Sequence, residues 1–137
     1  MATKEQIAAF MASDFPQTKI LIDEVGEMSA RVRHPVGHDE LRPGGTVSGP
    51  VMMATADCAL YVAILGEIGI VPLAVTTSLN INFLRKPSAE QDIVAVCRIF
   101  KRGRSLIVGD VMLYSDGSEE PVAHAVGTYA IPPGSIN

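Results

Sequence analysis

Hydrophobic and polar positions along the chain fall into a few periodic segments. Residues 3–13 (TKEQIAAFMAS) put Ile7, Phe10 and Met11 on one side of a short amphipathic helix, which Asp14-Phe15-Pro16 ends. From Thr18 to Arg33 the period drops to two: Ile20 and Ile22 alternate with Leu21 and Asp23, and Met28, Ala30 and Val32 with Ser29, Arg31 and Arg33. A charged turn around Gly26 joins the two runs into a hairpin. Between His34 and Val47 no pattern holds, and Pro35, Gly37, Pro43, Gly44 and Gly45 mark a loop of more than ten residues. Loops of that length inside a compact domain are usually functional or mobile.

The next segment is apolar on nearly every side. Ser48 is a plausible N-cap, Pro50 falls in the first turn where its missing N–H costs little, and VMMATADCALYVAILGEI continues the helix to a stop near Gly69. Asp57 and Glu67 are its only charges. A helix hydrophobic all round has to be enclosed. The enclosing material follows: Val71–Lys86, Ile93–Lys101, Ser105–Tyr114 and Val122–Ile131 read as strands, separated by Pro87-Ser88, Arg102-Gly103 and Asp116-Gly117. A hairpin, one long helix at about 48–69 and a run of antiparallel strands predict an α+β fold with a sheet curled around the helix. The length of 137 residues predicts one domain, 1–137, with a short N-terminal helix.

Composition narrows the functional classes. The chain is 47% hydrophobic but only 5% aromatic, with no tryptophan, so its core is aliphatic with Met filling gaps. A net charge of −4 argues against nucleic acid or an anionic membrane as the main partner. Arg85 to Arg104 is locally basic, with six basic residues against two acidic ones, which suits a small anionic ligand. Cys58 and Cys97 make no disulfide framework and lie in no CxxC. The first residues lack the apolar core of a signal peptide, and Val51–Leu65, interrupted by Asp57, reads as short for a bilayer span. A soluble cytoplasmic protein with reduced thiols is the expectation.

Three elements are candidates for chemistry. Asp57 is costly to bury in an apolar helix unless partnered, so it either holds structure together or acts in a site. Gly44-Gly45-Thr46-Val47-Ser48-Gly49-Pro50 lets a ligand approach the backbone closely, and the Gly49 N–H at the positive helix end can polarise a carbonyl oxygen. It is no phosphate-binding loop, because the Lys-Ser/Thr ending is absent. In Thr76-Thr77-Ser78-Leu79-Asn80-Ile81-Asn82-Phe83, alternation puts Thr76, Ser78, Asn80 and Asn82 on one face, whose hydroxyls are able to orient a water or simply face solvent.

Together these elements resemble the hotdog-fold acyl-CoA thioesterases, specifically the phenylacetate-pathway-like branch. Gly45 to Pro50 followed by Asp57 looks like that family's G-x-x-H-G-G with a carboxylate nine residues after the histidine, and Val75 to Pro87 looks like its later V-x-x-x-x-N-I-x-F-L-R-P-type strand. Ser48 stands where the family has histidine, Pro50 where it has the second glycine, and Arg42 where relatives often have asparagine. The resemblance implies hydrolysis of an acyl-CoA thioester with no cofactor, coenzyme A being part of the substrate. Gly49 would hold the thioester oxygen and Asp57 would activate water or attack as nucleophile. Thr76, or alternatively Thr77, would position the water. Ser48, Pro50, Arg42 and Thr77 would border the substrate, and Arg102 and Arg104, together with Arg85 and Lys86, would meet coenzyme A phosphates.

Helix geometry adds a constraint. Gly49 and Asp57 are separated by about 12 Å along one axis, and the Gly49 N–H points away from Asp57. An expected homodimer, in which Gly49 of one chain faces Asp57 of the other, removes the gap; a dimer of dimers is implied only by the resemblance. The histidines have no metal-cage spacing: His34 and His38 lie in the loop, His38 as a candidate pocket residue, and His124 reads as structural. Cys58 diverges from Asp57 by about 100° around the helix and reads as core. Two rivals remain. A non-catalytic acyl-CoA-binding hotdog protein would fit the missing motif histidine, whereas a hotdog dehydratase or hydratase would need a histidine that neither the helix nor its entrance supplies.

Overall fold

The structure, a computed structural model, describes residues 1–135. Helix α1 (Lys4–Asp14) starts at a capping box in which Thr3 and Gln6 satisfy each other's backbone N–H, and it buries Ile7 and Met11. Strands β1 (Leu21–Gly26) and β2 (Ser29–His34) form the expected antiparallel hairpin. The following loop is more ordered than its composition suggests. It contains a 3-10 turn at His38–Glu40 and a two-residue ladder of β3 (Leu41–Arg42) with β4 (Thr46–Val47), closed by Pro43-Gly44-Gly45. Gly44 and Gly45 adopt φ of 103° and 78°, a left-handed conformation that favours glycine.

Helix α2 (Gly49–Ile68) follows, capped by Ser48, whose Oγ accepts from Val51 N–H, and ending at Gly69 with φ 93°. The helix is 20 residues long and its most apolar stretch has a mean hydropathy of 1.6, enough to cross a bilayer by length and composition alone, but most of that stretch is buried inside the fold as its core helix. Strands β5 (Val75–Phe83), β6 (Ile93–Arg102), β7 (Leu106–Ser115) and β8 (Pro121–Ala130) complete an antiparallel sheet ordered β1-β2-β6-β7-β8-β5. This is the α+β arrangement anticipated from the pattern, and the hotdog fold that the resemblance implies: six strands curled around one helix. The first of the four later strands begins at Val75 rather than Val71, because Pro72 lies in a turn that Ala74 N–H closes on Val71 O at 3.1 Å.

Three details position the site. Gly109 and Gly127 are cross-strand partners on the inner face, where Cβ atoms would lie 2.9 and 2.6 Å from the Leu60 methyls, so their bareness lets α2 approach β7 and β8. Strand β5 lies at one edge of the sheet, with Val75 and Phe83 both 51% exposed. Strand β5 also carries a bulge. Thr76 pairs with Tyr129 and Ser78 with Thr128, which leaves Thr77 as the extra residue. The expected alternation therefore fails at one point. Ser78, Asn80 and Asn82 share the outer face, but Thr76 turns inward with Tyr129 toward α2.

Candidate active site

Asp57 sits on the third turn of α2, half-buried at the rim of a cleft between that helix, the chain after α1 and the start of β5. Its Oδ1 accepts two hydrogen bonds, from Thr76 Oγ1 at 2.7 Å and from the Tyr129 hydroxyl at 2.8 Å. The same phenol lies 3.2 Å from the Asp57 carbonyl oxygen. Tyr129 is only 3% exposed, and burial followed by the nearby Asp57 charge pushes its pKa up, so it remains a proton donor. Oδ2 has no hydrogen-bond partner among the described residues. One oxygen is anchored, and the other is unengaged among the described residues.

The helix start forms a second cleft of about 470 Å³, bordered by Arg42, Gly49, Met52, Phe83, Arg85 and Lys86. The Gly49 N–H has no partner among the described residues and carries the positive end of the helix dipole. A Cβ at Gly49 would meet the Phe83 ring at 3.3 Å, so glycine keeps this approach open. Glu40, buried beneath the entrance, fixes it from below. Its carbonyl accepts the Ser48 N–H at 2.9 Å, and its carboxylate accepts from Gly37 N–H at 2.7 Å and Lys19 Nζ at 3.0 Å. Lys19 first, then the Gly37 N–H, holds the Glu40 carboxyl below the usual carboxylate range.

The sequence-derived site residues thus separate into two groups. Asp57 and Thr76 line one cleft, whereas Gly49 and Arg42 line the other. Ser48 is engaged as helix cap and Pro50 is exposed in the first turn. Thr77 is directed elsewhere: its hydroxyl donates to the Thr128 carbonyl at 3.2 Å, and it borders neither cleft. Arg102 reaches Glu67 at 3.4 Å, at the far end of α2 and roughly 27 Å from Gly49 along the axis. Arg104 belongs to the adjoining β6–β7 turn. Arg85 pairs with Glu120 at 2.8 Å at the mouth of the Gly49 cleft.

His38 is exposed and borders neither cleft, and His124 bonds Asp110 at 2.9 Å. Cys58 does line the Asp57 cleft, but burial and the Asp57 charge push its thiol up to about 12, far from a thiolate at neutral pH. No group of three His, Cys, Asp or Glu side chains among the described residues is arranged to hold a metal ion.

Sequence reasoning missed Tyr129. Its only signal was parity: in VAHAVGTYA it shares a face with Ala123, Ala125 and Gly127, and an inward tyrosine needs a hydrogen-bond partner.

A single helix enclosed by a curled antiparallel sheet, with a hydrogen-bonded carboxylate on the helix and a glycine N–H at its start, defines a hotdog-type domain. The chain belongs to the thioesterase superfamily, whose sequence profile matches residues 44–122, from the helix entrance to the start of β8. A protein of Silicibacter sp. TM1040 crystallised as a candidate thioesterase is 42% identical, with 96% of this chain and 92% of that one covered and a TM-score of 0.88. Zebra fish thioesterase superfamily member 2 superposes at TM-score 0.84 with 19% identity, covering 96% of this chain and 100% of its own. The Escherichia coli PaaI protein of the phenylacetic acid degradation operon gives 0.83 with 23% identity, over 98% and 96%. The last two likenesses are of fold. No curated protein matches the chain significantly. Membership of the superfamily supports thioester hydrolysis in general.

Proposed function

We propose that this protein hydrolyses acyl-CoA thioesters, with Asp57 as the reacting carboxylate. The observation that carries this reading is the state of that carboxylate: Oδ1 takes two short hydrogen bonds while Oδ2 has none among the described residues. A carboxylate oxygen held on a fixed rotamer at an apolar cleft suits either removal of a proton from water or direct attack on a thioester carbon. Thr76 acts by holding Asp57, and its lone pairs remain available to a water. The Gly49 N–H is suited to stabilise the oxyanion that develops on the thioester carbonyl, with Ser48 and Pro50 at its margin. Arg42, Arg85 and Lys86 are suited to the phosphates of coenzyme A.

The two halves lie in different clefts of one chain, so the reading requires a homodimer. Strand β5 supplies a geometric route. Pairing two β5 edges antiparallel about Leu79 sets Val75 beside the partner's Phe83 and Thr76 beside the partner's Asn82. The Asp57 cleft of one protomer then adjoins the Gly49 cleft of the other. The same pairing would cover exposed Val75 and Phe83, which the isolated strand leaves in water.

Thiol release from a panel of short, medium and aryl acyl-CoAs tests the activity. Asp57→Asn is expected to lower kcat by about a hundred- to ten-thousand-fold, the range of a general base. Ser48 in place of the motif histidine favours one other reading, a non-catalytic acyl-CoA binder. Tight acyl-CoA binding without thiol release by the unaltered protein would decide for it.

A further inference from the structure

An α-helix leaves its first four N–H groups without a partner inside the helix, and at the start of α2 each of the four can be accounted for. The Ser48 N–H donates to the Glu40 carbonyl at 2.9 Å, and the Val51 N–H donates to Ser48 Oγ at 3.4 Å. Pro50 has no N–H to place. Among the described residues only the Gly49 N–H is left without a partner, so this helix start offers a ligand a single donor.

A single donor works only in the direction in which it is held. The Gly49 N–H lies in the plane of the Ser48–Gly49 peptide, whose carbonyl accepts the Met52 N–H at 3.3 Å. Ser48 is itself extended, at φ −72° and ψ 151°. The ladder that leads into it has two residue pairs, Leu41 with Val47 and Arg42 with Thr46. The bond from Ser48 N–H to Glu40 is therefore its third rung, and the one adjoining Gly49.

Glu40 is held in turn through its side chain. The residue is only 6% exposed, and each carboxylate oxygen has a partner: Oε1 accepts from the Gly37 N–H and Oε2 from Lys19 Nζ. Lys19 reaches across from the segment between α1 and β1 and also pairs with Asp39 at 3.3 Å. A carboxylate is costly to bury without such partners. Here they fix the backbone at Glu40, whose carbonyl carries Ser48. Glu40 borders neither cleft, so it acts through Ser48 and not on a substrate.

We infer that Glu40 is a positioning residue for the oxyanion donor: its anchored carbonyl holds Ser48 and thereby aims the Gly49 N–H. The inference rests on the hydrolase reading above, in which Gly49 stabilises the oxyanion. A donor aimed off line weakens an interaction made in the transition state, so kcat and kcat/KM fall together while KM stays.

The test measures kcat and KM, per folded protein, on whichever acyl-CoA the panel turns over fastest. Glu40→Ala is expected to lower kcat about ten- to a hundred-fold with KM within about twofold. Glu40→Gln, whose amide oxygen still accepts the Gly37 N–H, is expected to restore kcat to within about threefold. Lys19→Met removes the partner of Oε2 at an exposed position, and a loss of about three- to tenfold with KM unchanged is expected. It stands in if Glu40→Ala fails to fold. Amide ¹H–¹⁵N spectra of the same variants follow the Gly49 signal, which is expected to move in Glu40→Ala and Lys19→Met while signals from the middle of α2 stay in place.

A lowered Tm with kcat per folded protein unchanged and the Gly49 signal unmoved would make Glu40 a stabilising residue alone and overturn the inference. So would a raised KM with kcat preserved. If the unaltered protein turns over no acyl-CoA, the hydrolase reading falls and the Gly49 signal decides by itself. Displacement in Glu40→Ala and Lys19→Met but not in Glu40→Gln would support the positioning role, and an unmoved signal would overturn it.

Discussion

At the scale of single residues, the site depends on how one carboxylate is held. Thr76 and Tyr129 both donate to Oδ1 of Asp57, so removing either releases a torsion without touching the charge. Tyr129 is the more informative of the two, because it is buried and lies behind Asp57. A hydrogen bond to a charged group contributes about 1.5–3 kcal/mol, so Tyr129→Phe is expected to lower kcat by roughly ten- to a hundred-fold with KM little changed. A KM effect of similar size with kcat preserved would assign Tyr129 to the pocket wall instead. Asp57 was legible in the sequence because an acid in the middle of an apolar helix is costly. Tyr129 was not, because an aromatic in a strand is ordinary until the strand's facing is known.

At the scale of elements, the central helix and the succession of strands along the chain were readable from periodicity, while the ends and joints were not. The Glu40 anchor is such a joint. A glutamate in a Gly- and Pro-rich loop gives no sign that its carboxylate gathers Lys19 and the Gly37 N–H under the helix start. Because its folded value is depressed, Glu40 stabilises the fold above its unfolded value of about 4.3 and ceases to do so as pH falls through the lower folded value. Chemical denaturation as a function of pH is expected to show this loss below pH ~4, and Glu40→Gln to flatten it. The glycine pair under Leu60 is a second joint. Gly127→Ala would drive a Cβ to 2.6 Å from a fully buried methyl, and a cost of about 1–3 kcal/mol is expected for such overpacking. Partial recovery of Tm in the double variant with Leu60→Val would show that this contact is the cause.

At the scale of the whole molecule, the separation of Gly49 and Asp57 into two clefts governs what one chain can do. The distance was legible from helix rise alone, but the surface that would bring two chains together was not, since the sequence does not show which strand is left at the edge. Complementation addresses the pairing directly. Gly49→Pro, which removes the N–H, and Asp57→Ala are each expected to be inactive as homodimers. Heterodimers formed by subunit exchange contain one intact composite site of two, so about half of the original activity per dimer should return. Verified heterodimers with no recovered activity would show that each chain works alone or that the site lies elsewhere.

The bulge at Thr77 has a consequence for how such a site can be gained and lost. Facing in a strand is a matter of odd and even count, and Thr76 reaches Asp57 only because one supernumerary residue shifts the count between it and Ser78. Shortening the chain by one residue there would turn the hydroxyl to the opposite side, with Asp57, Thr76 and Tyr129 all still present in the sequence. In descendants of this chain, insertions and deletions in β5 therefore matter as much as substitutions, and a comparison by residue identity alone would overlook them.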